Sequence, residues 1–128
     1  CPSRGLGDVY KRQIVNISSI EAIRPAINHS HYASTKAGLL NLTVSSALEL
    51  GKKNIRVNSI CPGLTERPGL ERDWPEGVKS WLDQVPLGRL CTGNDIANST
   101  LFLVSEASSF ITGACITVDG GISSVSGW

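Results

Sequence analysis

The chain has 128 residues, of which 41% are hydrophobic and 18% charged, and a net charge of +1. That balance suits one modest globular domain. With no basic run and no apolar stretch near the roughly 20 residues that span a bilayer, neither nucleic acid nor a membrane is expected as a partner.

Residues 1–13 are polar, hold two glycines and a proline, and show no sustained period. They resemble a translated adaptor sequence, and no methionine occurs anywhere in the chain. The chain is therefore expected to be a fragment, with 1–13 a non-native or unassigned segment and 14–128 the folded part. No apolar leader precedes it, so the expected location is the cytoplasm.

Ile14–Ile17 reads as a buried strand ending at Ser18-Ser19. Residues 20–29, with Pro25 and Asn28, read as a loop. Ser30 is a candidate N-cap for a long helix. Ala33, Ala37, Leu40, Val44 and Ala47 mark one face of it, and Leu39, Leu42 and Leu50 a second, which predicts burial on two sides. Gly51, followed by Lys52 and Lys53, is the stop signal.

Ile55–Ile60 alternates as a second strand, closed by Pro62-Gly63. Residues 64–74 read as a loop. Pro75 to Gln84 reads as a short helix with Val78, Trp81, Leu82 and Val85 on one side. Thr92 and Asp95 form a capping box with aspartate in the usual glutamate place, and Ile96, Thr100, Leu103 and Val104 continue the helix. Ala114–Val118 is a third strand, ending at Asp119-Gly120-Gly121. Strands alternating with helices predict an α/β fold with a parallel sheet.

Cys1, Cys61, Cys91 and Cys115 are separated by 60, 30 and 24 residues, which fits no metal-ligand spacing. No metal site is expected. Free thiols in a reducing compartment are the favoured reading, with a disulfide left open.

The chemistry lies in Tyr32-Ala33-Ser34-Thr35-Lys36, with Ser19 thirteen residues before the tyrosine. Residues four apart share a helix face, so Tyr32 and Lys36 can meet. A free tyrosine, with a pKa near 10, is a poor base at neutral pH; a nearby ammonium stabilises its phenolate and fits it for proton exchange. Ser19, at the carboxyl end of its strand, stands where open α/β sheets bind ligands. Taken alone, Tyr-x-x-x-Lys is a weak signal, since many surface helices contain one.

Further motifs keep it company: Asn16-Ile17-Ser18-Ser19, Arg56 through Gly63, Asp95-Ile96-Ala97, and Ile111-Thr112-Gly113-Ala114 leading to Val118-Asp119-Gly120-Gly121. In order and spacing, residues 14–121 resemble the short-chain dehydrogenase/reductase family. The resemblance implies the C-terminal half of a Rossmann-like, doubly wound parallel sheet, and an oxidoreductase that moves hydride between NAD or NADP and a secondary alcohol or ketone. It also implies a homodimer or homotetramer.

By the same resemblance Ser19, Tyr32 and Lys36 are the catalytic residues. Ser19 polarises the substrate oxygen, Tyr32 is the acid/base, and Lys36 tunes the tyrosine and binds the nicotinamide ribose. Pro62, Gly63, Leu64 and Thr65 lie beside the nicotinamide, where Gly63 lets backbone approach a ligand; an isolated Pro-Gly would be read as a plain turn. Asn58 is read as bonding backbone near its strand end, and Asp119-Gly120-Gly121 as a tight turn. His29 and His31 are read as pocket or surface residues. Trp74, Trp81 and Leu82 shape an apolar pocket or belong to the core, two readings left open.

The chain departs from the family in several places. It contains no glycine-rich pyrophosphate turn, no residue that would separate NAD from NADP, and no Asn-Asn-Ala-Gly segment. Relatives often place a threonine five residues after the proline, where this chain has Arg67; Thr65 is the candidate substitute. The rival readings are an epimerase or dehydratase on the same scaffold and a non-catalytic binding protein.

Overall fold

The computed structural model describes residues 12–125. Three strands, β1 (Arg12–Ile17), β2 (Ile55–Pro62) and β3 (Cys115–Val118), form one parallel sheet in the order β1-β2-β3. The helices are α1 (Ser30–Leu50), α2 (Leu70–Asp73), α3 (Pro75–Gln84) and α4 (Gly93–Val104). The expected α/β architecture with a parallel sheet is therefore observed. β1 starts two residues earlier than its apolar run, because Arg12 and Gln13 pair with Ile55 and Arg56. The segment before residue 12 lies outside the described residues.

β2 is the centre of the core. Val57, Asn58, Ser59, Ile60 and Cys61 are all at most 1% exposed, as a strand paired on both edges and covered on both faces should be. Ile60 sits between Ile17 of β1 and Ile116 of β3 in the register. The polar side chains of this strand are bonded to backbone, except that the buried Nε of Arg56 has no partner among the described residues. Asn58 Nδ2 donates to the Ile111 carbonyl at 3.0 Å, and its Oδ1 accepts from the Ala114 N–H at 3.0 Å. This is the backbone-bonding role read from its position, and it fixes the chain's entry into β3. Arg56 donates to the carbonyls of Ile111 (3.1 Å) and Leu103 (2.8 Å), placing a cation at the carboxyl end of α4, where the helix dipole favours it.

α1 departs from four local expectations. Ser30 is its first residue rather than its cap; the N-cap is His29, with no side-chain cap hydrogen bond. Gly51 stays right-handed and passes into a short 3-10 turn, and the left-handed residue that ends the run is Asn54, at φ 58°. Val44 is 55% exposed, while Thr43 beside it is buried. Thr43 Oγ1 donates to the Leu39 carbonyl (2.8 Å) and accepts from Asn16 Nδ2 of β1 (2.9 Å), so a polar residue takes the inward place at no cost in unmade hydrogen bonds. Of the predicted second apolar face, Leu39 and Leu50 are half-buried but Leu42 is 56% exposed, and Leu48, which belonged to neither predicted face, is 84% exposed.

Residues 70–73, read as loop, form the one-turn α2. α3 has the predicted bounds and turns Val78 inward, with Val85 buried just beyond its end. α4 opens with the predicted capping box. Thr92 Oγ1 accepts from the Asp95 N–H at 3.2 Å, and the Asp95 carboxylate accepts from the Thr92 N–H at 2.7 Å. Arg89 adds a two-pronged ion pair to the same carboxylate, at 2.7 and 2.9 Å.

The Arg89 guanidinium, together with the Thr92 donors, holds the Asp95 pKa well below the usual carboxylate value. A carboxylate with a depressed folded pKa stabilises the fold above its unfolded pKa, near 3.9, and loses that contribution as the pH falls through the folded value. Asp95→Asn is therefore expected to be less stable than the parent at pH 7, with the gap shrinking below about pH 4. Urea titrations at pH 7 and pH 3 check this; an equal gap at both would refute the assignment.

Candidate active site

The site assembles where α1 crosses the carboxyl end of β1. The Ser18 N–H donates to the Ile60 carbonyl at 2.7 Å, which carries the β1–β2 pairing one residue past the strand. Ser18 Oγ then donates to the Lys36 carbonyl at 2.9 Å, and Lys36 Nζ donates to the Ile17 carbonyl at 3.1 Å. These two bonds tie the helix to the strand end. Lys36 Nζ lies 5.6 Å from the centroid of the Tyr32 ring, so the spacing of four does bring the phenol and the ammonium together. Tyr32 is 40% exposed, open enough to meet a ligand.

Ser19 follows directly. Its backbone is extended, and its Oγ accepts from the Glu21 N–H at 3.1 Å, capping a short 3-10 turn. That bond uses an acceptor lone pair and leaves the hydroxyl proton for another partner. Ser18 was assigned no role by sequence; its bond to the Lys36 carbonyl makes it part of the scaffold. The signal was the Ser-Ser doublet at a strand end, which does not say which serine faces the helix.

The histidines diverge. His29 Nδ1 pairs with both carboxylate oxygens of Glu21, at 3.0 and 3.1 Å, and its ring stands edge-on to Tyr32 with centroids 6.5 Å apart. His31 is exposed and its carbonyl accepts from Thr35 Oγ1.

The stretch after β2 is held along its backbone. The Gly63 N–H donates to the Val118 carbonyl at 3.0 Å, the Cys91 N–H donates to the Leu64 carbonyl at 3.0 Å, and the Glu66 N–H donates to the Cys91 carbonyl at 2.8 Å. Thr65 Oγ1 donates to the Gly63 carbonyl at 3.1 Å and is thereby committed to its own loop. Among the described residues, the N–H groups of Leu64 and Thr65 enter no hydrogen bond. Pro62 closes β2, paired with Val118.

Packing gives Gly63 a physical reason of its own. A Cβ there would stand 2.9 Å from the Trp81 ring and 3.0 Å from the Cα of Asp119. The glycine is required by packing of protein on protein. Gly63→Ala is expected to cost about 1–3 kcal/mol by overpacking, because the backbone of Asp119 cannot swing aside as a side chain would. A shift in urea midpoint at constant m reads it out; an unchanged midpoint would show the contact to be loose.

Trp81 is thus half-buried against this stretch, whereas Trp74 is 47% exposed and lies over Gly77. Asp119 behaves as a turn residue. Its carboxylate accepts from the N–H groups of Gly121 and Ser123, both at 2.9 Å, and Gly120 and Gly121 adopt φ of 64° and 90°. Burial works against its charge, but the donors of Ser123 and Gly121 prevail and hold the pKa below the usual value. A concavity of about 470 Å³ lies elsewhere, between Arg89, Asp95 and Gly120-Gly121; it includes none of Ser19, Tyr32 and Lys36, its Arg89 and Asp95 already pair with each other, and its Asp119 is held by backbone N–H groups.

Comparison with known proteins places the chain in a family. The family profile described as Enoyl-(Acyl carrier protein) reductase matches residues 9–123. The 3-oxoacyl-[acyl-carrier-protein] reductase FabG of Chlamydia muridarum is 44% identical over 110 residues, which are 85% of this chain and 44% of that protein. The chain thus spans less than half of that relative's length. An oxidoreductase of the short-chain dehydrogenase/reductase family from Burkholderia thailandensis superposes with a TM-score of 0.80 at 34% identity, covering 88% of this chain and 45% of the other. A 7α-hydroxysteroid dehydrogenase complexed with NADH and 7-oxo glycochenodeoxycholic acid gives a TM-score of 0.80 at 42% identity, covering 85% and 43%. With the profile matched over residues 9–123 of this chain and the fold shared at a TM-score of 0.80, the chain belongs to the short-chain dehydrogenase/reductase family.

Proposed function

We propose that the protein carrying this chain is an NAD- or NADP-dependent oxidoreductase acting on a secondary alcohol or ketone, with Tyr32 as its acid/base. The observation that carries the reading is the Lys36 ammonium, anchored on the Ile17 carbonyl at the strand end and facing the Tyr32 ring. A charged helix residue held against a strand end is poorly explained by packing alone.

The residues present fit a nicotinamide dinucleotide. Lys36 Nζ carries three donors and the Ile17 bond uses one, leaving others for ribose hydroxyls. The unpaired N–H groups of Leu64 and Thr65, on a stretch fixed by Val118 and Cys91, suit a carboxamide oxygen. Pro62 and Gly63 position that stretch. When bound, the cofactor supplies or accepts the hydride.

The chain's own residues handle the proton. In the reducing direction Ser19 Oγ donates a hydrogen bond to the substrate carbonyl oxygen, and Tyr32 delivers its hydroxyl proton to that oxygen as the carbon receives hydride. In the oxidising direction Tyr32 takes the proton back. Lys36 faces the tyrosinate charge so formed. The outward side chains of α1, Leu42, Val44 and Leu48, support a homodimer or homotetramer built across that helix.

The test is a chimera that joins residues 12–125 to the N-terminal half of the Chlamydia muridarum reductase. It is expected to turn over NAD(H) or NADP(H) with some member of a panel of secondary alcohols and ketones. The 128-residue chain alone is expected to be inactive, since no glycine-rich phosphate turn lies within it. A folded chimera that binds the cofactor and turns over nothing across the panel sinks the proposal.

A further inference from the structure

Two of the cysteines, 54 residues apart in the chain, meet across the sheet. The register sets Ser59 opposite Cys115 and Cys61 opposite Thr117, so Cys61 and Cys115 are diagonal neighbours whose side chains share a face by the two-residue period of strands. Their sulfurs approach to 2.8 Å. A disulfide bond is about 2.05 Å long, so the two sulfurs stand within reach of one. Cys61 is fully buried, whereas Cys115, on the outer strand β3, is exposed and reachable from solvent. Cys91, the third described cysteine, is buried at the start of α4, paired through its backbone with Leu64 and Glu66.

We propose that Cys61 and Cys115 form a modification site, a cross-strand dithiol that a small-molecule disulfide such as oxidised glutathione converts into an intramolecular disulfide. The Cys115 thiolate attacks one sulfur of the oxidant. The oxidant's S–S bond breaks, one glutathione leaves as a thiol, and a mixed disulfide forms on Cys115. Cys61 then attacks the Cys115 sulfur, and its proton passes to the departing glutathione sulfur. The mixed S–S bond breaks and the second glutathione leaves. Two protein thiols are oxidised and one glutathione disulfide is reduced, so atoms and electrons balance.

Exposure sets the order of events. Burial, reinforced by the neighbouring Cys115, pushes the Cys61 thiol up to about 12, which makes Cys61 the resolving thiol and Cys115 the entry point. The bond would staple β3 to β2 one residue before Pro62-Gly63. This proposal is independent of the oxidoreductase reading and is tested on the 128-residue chain itself.

The reduced chain is incubated with oxidised glutathione, blocked with N-ethylmaleimide, and digested with trypsin and a glutamate-specific protease. The second protease is needed because no lysine or arginine separates Cys91 from Cys115, whereas Glu106 does. Mass spectrometry is expected to find the Cys61–Cys115 linkage in about tenfold excess over any other pairing of the four cysteines, as proximity dictates. The linkage should persist in Cys91→Ser, and in Cys115→Ser the Cys61 thiol should stay free. Pairings scattered among all four cysteines would overturn the proposal. So would a stable glutathione adduct on Cys115 with Cys61 still a thiol.

Discussion

Tyr32→Phe in the chimera is expected to lower kcat by about 10²–10⁴-fold, the usual contribution of a positioned acid/base. The substitution removes one oxygen and keeps the ring, so the contact with Lys36 and the edge-on approach of His29 have no reason to change. Apparent affinity for the cofactor should stay within about threefold, because the loss is confined to a step that transfers a proton. Steady-state kinetics with the best substrate from the panel, together with cofactor titration by fluorescence, measure both quantities. A binding protein would be indifferent to the change. If turnover survives in Tyr32→Phe, the acid/base lies elsewhere and the role given to the Tyr32–Lys36 pair is wrong. Lys36→Met gives a useful contrast. It removes the charge that faces Tyr32 and also the bond to the Ile17 carbonyl, so it should lower kcat and weaken cofactor binding together.

Ile60→Ala is expected to be the most damaging single truncation in the core. Ile60 has no exposed surface, occupies the central strand, and lies between Ile17 and Ile116 in the register. Removing three carbons there loses their transfer free energy and leaves a cavity that three strands cannot easily close, for about 2–5 kcal/mol. Against a total of about 5–15 kcal/mol for a domain, this is a large fraction. Urea unfolding followed by tryptophan fluorescence should show a lower midpoint with an unchanged slope. A loss under about 1 kcal/mol would mean that β2 is not the centre of the packed unit. Leu103→Ala on α4, also fully buried, offers a second measurement on the opposite layer, and its effect should add to that of Ile60→Ala wherever the two side chains share no cavity.

Much of this molecule was legible in its sequence, for reasons that differ between elements. α3 could be bounded because Pro75 opens it and its apolar residues keep helical spacing; the structure reproduces both ends. The α4 capping box was visible because Thr92 and Asp95 stand three apart, and a cap is built from bonds within one turn. β2 was visible as an alternating segment closed by Pro62-Gly63, and β3 as a short strand closed by Asp119-Gly120-Gly121. The meeting of Tyr32 with Lys36 followed from helix geometry alone. Their conjunction with Ser19 depended on a likeness of motifs along the chain. The Ser18–Lys36 and Lys36–Ile17 bonds, between residues 18 and 19 apart, are what join the helix to the strand end.

What sequence alone determined, then, is whatever a single turn of helix or a single strand can dictate: element types, caps, and side chains one turn apart. What the tertiary structure decided are the partnerships between distant segments. Val44 has the better hydrophobic claim to the core, yet Thr43 lies inside because Asn16, 27 residues away, receives it. Gly63 is explained by the backbone of Asp119 and the ring of Trp81. The Cys61–Cys115 contact depends on a strand register spanning 54 residues. Local periodicity fixes directions around one axis, whereas register between remote strands follows from which buried polar groups find partners and which side chains fit, and no local window contains both halves of that bargain.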